Sequence, residues 1–383
     1  MAPQTRSTAE SAPLLGTVLV VGGNGFFGFH LVRHLLRDEE CGAVHVLDRD
    51  IDRNRHSDAI YTRGNITDAH AIDALLKQTR PRVIFHAASP PASLPAHRLS
   101  EFHETNVRGT QTLLAAAATS DSVQALVYTS TIDAYADPPH VDASEDDDGL
   151  LRLWGPSART TEYNRTKAVA DRLVLAADDG EGGGRLRTAS LRPGHMYGER
   201  STQGLPEVVG MCVGGGPLFQ VGAGANLVEV ASADNTAAAH VLAAKALVDR
   251  GRAGGEVGGE GFTVSDGHPV PFWYHVRSIW KAVRGEEGVK RVWVIPAWVM
   301  LVVVVFLDWA YWIFTLGRLC PPTELSMLSY TYATWSHTYS IEKARKRLGF
   351  KPIANHDEVV VQMVKWELDR REKLENDNLK KKS

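Results

Sequence analysis

An apolar run from Thr17 to Val21 passes without a break into Gly22-Gly23-Asn24-Gly25-Phe26-Phe27-Gly28, and Leu31, Val32, Leu35 and Leu36 then repeat at helical spacing. Strand, glycine turn and helix in this order constrain the chain more than any other feature. Gly22 permits the tight turn. Gly25 lets the backbone approach a pyrophosphate at the helix N-terminus, and Gly28 lets the helix pack closely on the strand. The run therefore reads as a dinucleotide site, with Phe26 and Phe27 inside the same turn. Asp48 ends the next strand, about 20 residues after the last glycine. Its carboxylate suits adenosine ribose hydroxyls and repels a 2′-phosphate, which favours NAD; Arg49 beside it keeps NADP open.

Val44–Leu47, Arg82–Ala87, Gln124–Thr129 and Thr188–Leu191 read as further buried strands, alternating with helical stretches such as Val107–Ala118. That alternation predicts an α/β fold, a doubly wound parallel sheet (Rossmann) with a smaller C-terminal substrate-binding region. Asp68 follows a strand and is placed to meet adenine, while Ala87 and Ser89 end another beside the expected path of the pyrophosphate and ribose. Residues 1–13 read as a flexible leader lacking the apolar core of a signal peptide. Residues 14–200 read as mainly the NAD-binding domain, 201–365 as the substrate-binding region with returning Rossmann elements, and 366–383 as a charged tail. Lys plus Arg number 42 against 45 for Asp plus Glu, a balance of −3 that gives no electrostatic footprint for nucleic acid. Cys41, Cys212 and Cys320 are too few and too far apart for a disulfide framework or a zinc site. The acidic loop Asp142–Asp148 reads as a solvated face, so no metal is expected, and Gly180–Gly184 and Gly251–Gly261 read as surface connections.

Tyr163 and Lys167 stand four residues apart in a helical stretch reaching towards Ala177, which places both on one face. A free phenol titrates near pH ~10 and is a poor base at neutrality, but a neighbouring ammonium favours the phenolate. Lys167 supplies that ammonium. The pair follows a hydroxyl-bearing strand end, Tyr128-Thr129-Ser130-Thr131, and either Ser130 or Thr131 can orient a substrate oxygen. Thr131 is preferred because it stands two positions beyond the apolar strand and should project into the cleft. His86 and His195 lie near this site and read as structural histidines.

The segment Val292–Leu316 has Asp308 as its only formal charge over about 25 residues, long enough to cross a bilayer. Trp293, Trp298, Trp309, Tyr311 and Trp312 are the amphipathic aromatics that favour a membrane interface. Membrane contact is expected, as a span or as a monotopic insertion, with Asp308 counting against a span. The C-terminal Lys380-Lys381-Lys382-Ser383 has the spacing of a dilysine endoplasmic-reticulum retrieval signal. Asn164-Arg165-Thr166 is a glycosylation sequon inside the proposed active-site helix, which favours the cytosolic face of that membrane.

Taken together, VLVVGGNGFFG, VYTST, YNRTK, LRPGHMYGE and NLVEVASADNTAAAHVLAA resemble the extended short-chain dehydrogenases of the 3β-hydroxysteroid dehydrogenase family. GFTVSDGHPVPFWYHVRSIWKA and YSIEKARKRLGFKP are similar more narrowly to its fungal sterol-4α-carboxylate 3-dehydrogenase (decarboxylating) branch. The resemblance covers roughly residues 16–365. It implies NAD or NADP as cofactor, a catalytic hydroxyl, Tyr and Lys at Thr131, Tyr163 and Lys167, and Pro193 of the LRP segment beside the cofactor. It also implies a sterol or triterpenoid substrate whose 3β-hydroxyl is oxidised with loss of a C4 carboxylate. Other sterol-demethylation enzymes and a second copy of the chain are partners compatible with it. Serine is usual where Thr131 stands, and Thr131 keeps the hydroxyl while adding a methyl. The competing readings are a 3β-hydroxysteroid dehydrogenase/isomerase, a sugar-nucleotide epimerase and, from another class, a non-catalytic dinucleotide sensor. The apolar segment speaks against the epimerase, and intact Tyr163 and Lys167 against the sensor.

Overall fold

The computed structural model describes residues 13–92, 94–136, 140–144, 152–155, 160–180, 185–249, 257–315 and 325–380. Residues 1–12 of the leader, 145–148 of the acidic loop, 181–184 and 251–256 of the glycine-rich connections, and 381–383 of the tail lie outside them.

Six strands, β1 (Gly16–Val21), β2 (Cys41–Asp48), β3 (Ile60–Arg63), β4 (Val83–His86), β5 (Ala125–Thr129) and β6 (Arg187–Pro193), join the later strand Glu260–Val264 in one parallel sheet. Its order is Glu260–Val264, β6, β5, β4, β1, β2, β3. The sequence pattern shows why both faces are covered. Successive residues of a strand point to opposite faces, and in β1 Val18 and Val20 enter one core while Leu19 and Val21 enter the other. Helices Phe26–Arg37 and Ala233–Val248 cover the first face; Ala69–Thr79, Thr110–Thr119 and Glu162–Ala176 cover the second. Strands buried on both sides read as continuous apolar runs, which is why β1, β4 and β5 are evident in the sequence. The polar strand β3, Ile-Tyr-Thr-Arg, lies at the sheet edge and carries no such run.

The expected helix at Val107–Ala118 begins differently. Residues His103–Gly109 form a π-helical turn before the α-helix Thr110–Thr119, a rare geometry that often marks a functional site. The widened turn rests against helix Glu162–Ala176: Asn106 Nδ2 donates to Thr166 Oγ1 at 3.1 Å, and the Phe102 and Tyr163 rings meet edge-on at 5.7 Å.

Beyond residue 200 the chain makes a second cluster from helices Leu205–Val213, Phe272–Gly288 and His356–Lys380. It also returns to the first unit, placing Glu260–Val264 beside β6 and Ala233–Val248 on Phe26–Arg37. Residues 366–380 of the charged tail are helical. The reason is Glu367, fully buried and bound by Arg370 and Arg371, with Arg371 continuing to the Pro206 carbonyl.

Candidate active site

The C-terminal ends of the central strands open onto a cleft of about 720 Å³, within the range of small-molecule sites. Gly22, Gly25, Phe26, Phe27, Gly28, Asp48, Ala87, Ser89, Thr131, Tyr163 and Pro193 all line it. Asp68 does not. Its Oδ1 accepts from Ala71 N at 3.0 Å and caps helix Ala69–Thr79, so the turn presents Asn65 and Ile66 to the cleft instead. Aspartate before a helix satisfies an orphan N–H, and that local demand takes the carboxylate assigned above to adenine.

The glycine turn fits a dinucleotide. Gly22 has φ +87°, and a Cβ there would stand 2.6 Å from Ala88 N. A Cβ at Gly28 would come within 2.1 Å of the Gly22 carbonyl oxygen. Helix Phe26–Arg37 starts without a side-chain cap and without an acidic residue in its first turn, which leaves its N–H groups and positive dipole end for an anion. At the far lip, Asp48 Oδ2 accepts from Asn24 N at 3.0 Å and Oδ1 from Asp50 N at 3.3 Å. These bonds fix the carboxylate while leaving lone pairs for ribose hydroxyls. Asp48→Ser therefore narrows the preference for NAD⁺ over NADP⁺ by about tenfold or more, since it removes the charge that repels a 2′-phosphate. Steady-state kinetics with both cofactors measure it, and a wild type that prefers NADP⁺ contradicts the assignment.

At the other end, helix Glu162–Ala176 is capped by Thr161 Oγ1, which accepts from Asn164 N at 3.1 Å. This start sets Tyr163 and Lys167 on the face towards β5. Tyr163 and Thr131 face the same cleft, whereas Ser130 is buried beside Asp171. Burial pushes the phenol of Tyr163 above its ordinary value, the Asp133 carboxylate pushes it further, and the Thr131 side chain pulls it down. Thr131 Oγ1 also lies 3.4 Å from Asp133 Oδ2 and accepts from Asp133 N at 3.2 Å. With one proton, its hydroxyl serves either Asp133 or the phenolate.

Lys167 lies beneath the cleft floor, buried, with Nζ donating to the Thr129 carbonyl at 2.5 Å and 4.4 Å from the centre of the Tyr128 ring. Burial lowers its pKa to about 7, opposed by the charge of Asp171. Asp171, one helical turn further on, is itself fully buried and accepts from Arg192 Nε and Nη2 at 2.9 and 2.8 Å and from Ser190 Oγ at 2.9 Å. Burial alone would raise its carboxyl, but Arg192 and these hydrogen bonds outweigh burial and hold it ionised.

Three participants escaped the sequence reading. Asp171 carried a signal, its spacing of four from Lys167. Asn106 and Asp133 carried little, because the π-helical turn and the hydrogen bond to Asp133 from Tyr332, far along the chain, depend on tertiary packing. His86 is buried, bonded to Thr110 Oγ1 at 2.9 Å, and lowered to about 3 by burial and by the charge of Lys167. His195, by contrast, is exposed and lines the cleft. Among the described residues no group of three or more His, Cys, Asp or Glu is arranged to hold a metal ion.

A parallel nucleotide-binding sheet with a hydroxyl, a tyrosine and a buried lysine meeting at its strand ends defines a short-chain dehydrogenase/reductase of the extended type. The chain belongs to the 3-beta hydroxysteroid dehydrogenase/isomerase family, which it matches over residues 19–295. It is 30% identical over 295 residues to the decarboxylating sterol-4-alpha-carboxylate 3-dehydrogenase of Gibberella zeae, covering 77% of this chain and 94% of that protein. The enzyme of the same name from Mus musculus is 28% identical over 345 residues, covering 90% and 89%. In fold, the UDP-glucose 4-epimerase of Thermotoga maritima superimposes with a TM-score of 0.67 at 18% identity, covering 94% of this chain and 99% of that one. The dTDP-glucose 4,6-dehydratase of Bacillus anthracis gives 0.66 at 18% identity, covering 93% and 97%.

Proposed function

We propose that this protein oxidises the 3β-hydroxyl of a sterol or triterpenoid with NAD⁺ and that a carboxylate at C4 then leaves as carbon dioxide. The observation that carries the reading is that Thr131 and Tyr163 line one end of a cleft, with buried Lys167 one helical turn from Tyr163, while the other end is shaped for a dinucleotide. Gly22, Gly25 and Gly28 leave room for the pyrophosphate, Asp48 holds the adenosine ribose, and Tyr163, Lys167 and Pro193 border the nicotinamide half. NAD⁺, when bound, accepts the C3 hydride. Thr131 orients the substrate oxygen, and Tyr163 as phenolate takes the hydroxyl proton. Lys167, charged, lowers the cost of that phenolate. Once C3 is a ketone, the bond from C4 to the carboxylate can break with its electron pair entering the carbonyl. The relatives' name, a decarboxylating 3-dehydrogenase of sterol 4-carboxylates, supports this order of events. Purified protein should form NADH with a 4α-carboxy-3β-hydroxysterol and remain inactive on UDP-glucose; the opposite pattern places it with the epimerases.

An exposed apolar helix elsewhere in the chain supports a lipid-borne substrate. Helix Ala297–Thr315 has 19 residues, about 28 Å at ~1.5 Å per residue, and a mean hydropathy of 2.0. Its side chains face outward: Trp298 is 70% exposed, Phe306 68% and Phe314 86%, while Val304 is buried. Burying that surface in lipid contributes several kcal/mol at ~25 cal/mol per Å². In this reading the helix contacts the endoplasmic-reticulum membrane from its cytosolic side. The sequon's Asn164 is half-buried and Thr166 buried in the helix that carries Tyr163 and Lys167, so a glycan there would disturb the site, which favours that side. The double variant Val303→Glu with Phe306→Glu should move the protein from the membrane pellet to the high-speed supernatant. Quantitative recovery of untagged wild type in the supernatant contradicts membrane contact.

A further inference from the structure

The reaction outlined above leaves one cleft imidazole unused. His195 opens the short strand His195–Tyr197, which pairs in parallel with Val230–Ser232, and its own N–H donates to the Glu229 carbonyl at 2.9 Å. Its ring is exposed on the same cleft as Thr131 and Tyr163. Behind it the His275 ring packs edge-on, with centroids 6.0 Å apart. His275 Nδ1 lies 2.9 Å from His356 Nε2, and His356 Nδ1 lies 2.8 Å from Asp357 Oδ1. A carboxylate only accepts, so His356 donates from Nδ1 to Asp357, and its Nε2 holds the ring of His275. This chain anchors His275 as a fixed neutral wall for His195. Open to the cleft yet surrounded by protein on its other sides, the His195 ring is held below the ordinary histidine value by desolvation, against the pull of Asp133, which favours the neutral form with one N–H to donate.

We infer that the His195 N–H receives the C4 carboxylate of the substrate, an assignment that rests on the decarboxylating reading above. Two of its neighbours are poorly suited to that task. Ser201 turns its hydroxyl to the Gln203 carbonyl at 3.1 Å, and Asp133, bonded by Tyr332, repels an anion. A neutral donor suits the chemistry. The bond between C4 and the carboxylate breaks, its electron pair becomes the C3 enolate, carbon dioxide departs, and water returns a proton to C4. A full cation would hold the charge on the carboxylate and stabilise the ground state, whereas a neutral N–H orients the group and lets the charge move.

The test compares a 4α-carboxy-3β-hydroxysterol with its 4α-methyl counterpart in wild type, His195→Phe and His195→Gln, with NAD⁺ binding measured in each as a check on folding. His195→Phe should lower kcat/KM for the carboxylated sterol about 10- to 100-fold, the range for losing a hydrogen bond to a charged group, and change the methyl sterol less than about threefold. His195→Gln, which keeps an N–H donor, should recover part of the loss. Equal losses on both sterols, or no loss on either, overturn the assignment while leaving the dehydrogenase reading intact. A wild type that oxidises the methyl sterol and refuses the carboxylated one overturns both.

Discussion

Tyr163→Phe lowers turnover about 10³-fold, the middle of the range for removing a general acid or base, with NAD⁺ affinity nearly unchanged. The ring keeps its packing on Phe102, 5.7 Å away, so the loss reports the hydroxyl rather than the fold. The sign of the pH dependence follows from the same residue. The phenol must ionise to accept the substrate proton, and both burial and Asp133 push it above its ordinary value. Tyr163 ionisation therefore gives kcat/KM for oxidation a limb that rises with pH, while loss of the Lys167 proton above about pH 7 works against it. Asp133→Asn removes the negative charge that opposes ionisation, so its rising limb moves to lower pH. A limb that moves to higher pH, or a Tyr163→Phe enzyme with near-normal turnover, shows that another group takes the proton.

Lys167→Met is the second large effect, and it runs in opposite directions for activity and stability. Losing the ammonium one helical turn from Tyr163 should lower turnover at least ~10²-fold. The folded protein, however, holds that ammonium at a cost, because burial lowers its pKa from 10.5 to about 7. Between those values the unfolded chain binds the proton and the folded chain has released it. Stability contributed by this residue thus rises with pH across that window and is lowest below about pH 7. Methionine binds no proton, so the variant lacks this rise. Thermal melts of both apoproteins from pH 6 to 10 should show the wild type gaining on the variant as pH increases. Parallel curves would mean that Lys167 is not held in the desolvated state described here.

The features legible in the sequence are those with local causes. The glycine turn works through steric limits within seven residues, and Tyr163 with Lys167 through one turn of helix. Asp133 is different: its bond from Tyr332 spans 199 positions and leaves no periodic trace. The bidentate pair of Asp171 and Arg192 joins a helix to a strand 21 residues later, and neither residue alone distinguishes a buried partner from a solvated charge. Asp68 failed for the converse reason, since a local capping role outweighed the tertiary one assigned to it. The helical course of residues 366–380 is likewise tertiary in origin, because Glu367, polar in composition, is buried by two arginines of its own helix.

In the proposed reaction oxidation at C3 releases the carbon at C4, and one measurement reads both events. A 4α-carboxy-3β-hydroxysterol labelled in the carboxyl carbon, incubated with NAD⁺ and purified protein, should give NADH and labelled carbon dioxide in equal amounts and leave an unlabelled 3-ketone. Labelled carbon dioxide without NADH, or NADH with the label retained in a stable ketone, contradicts it.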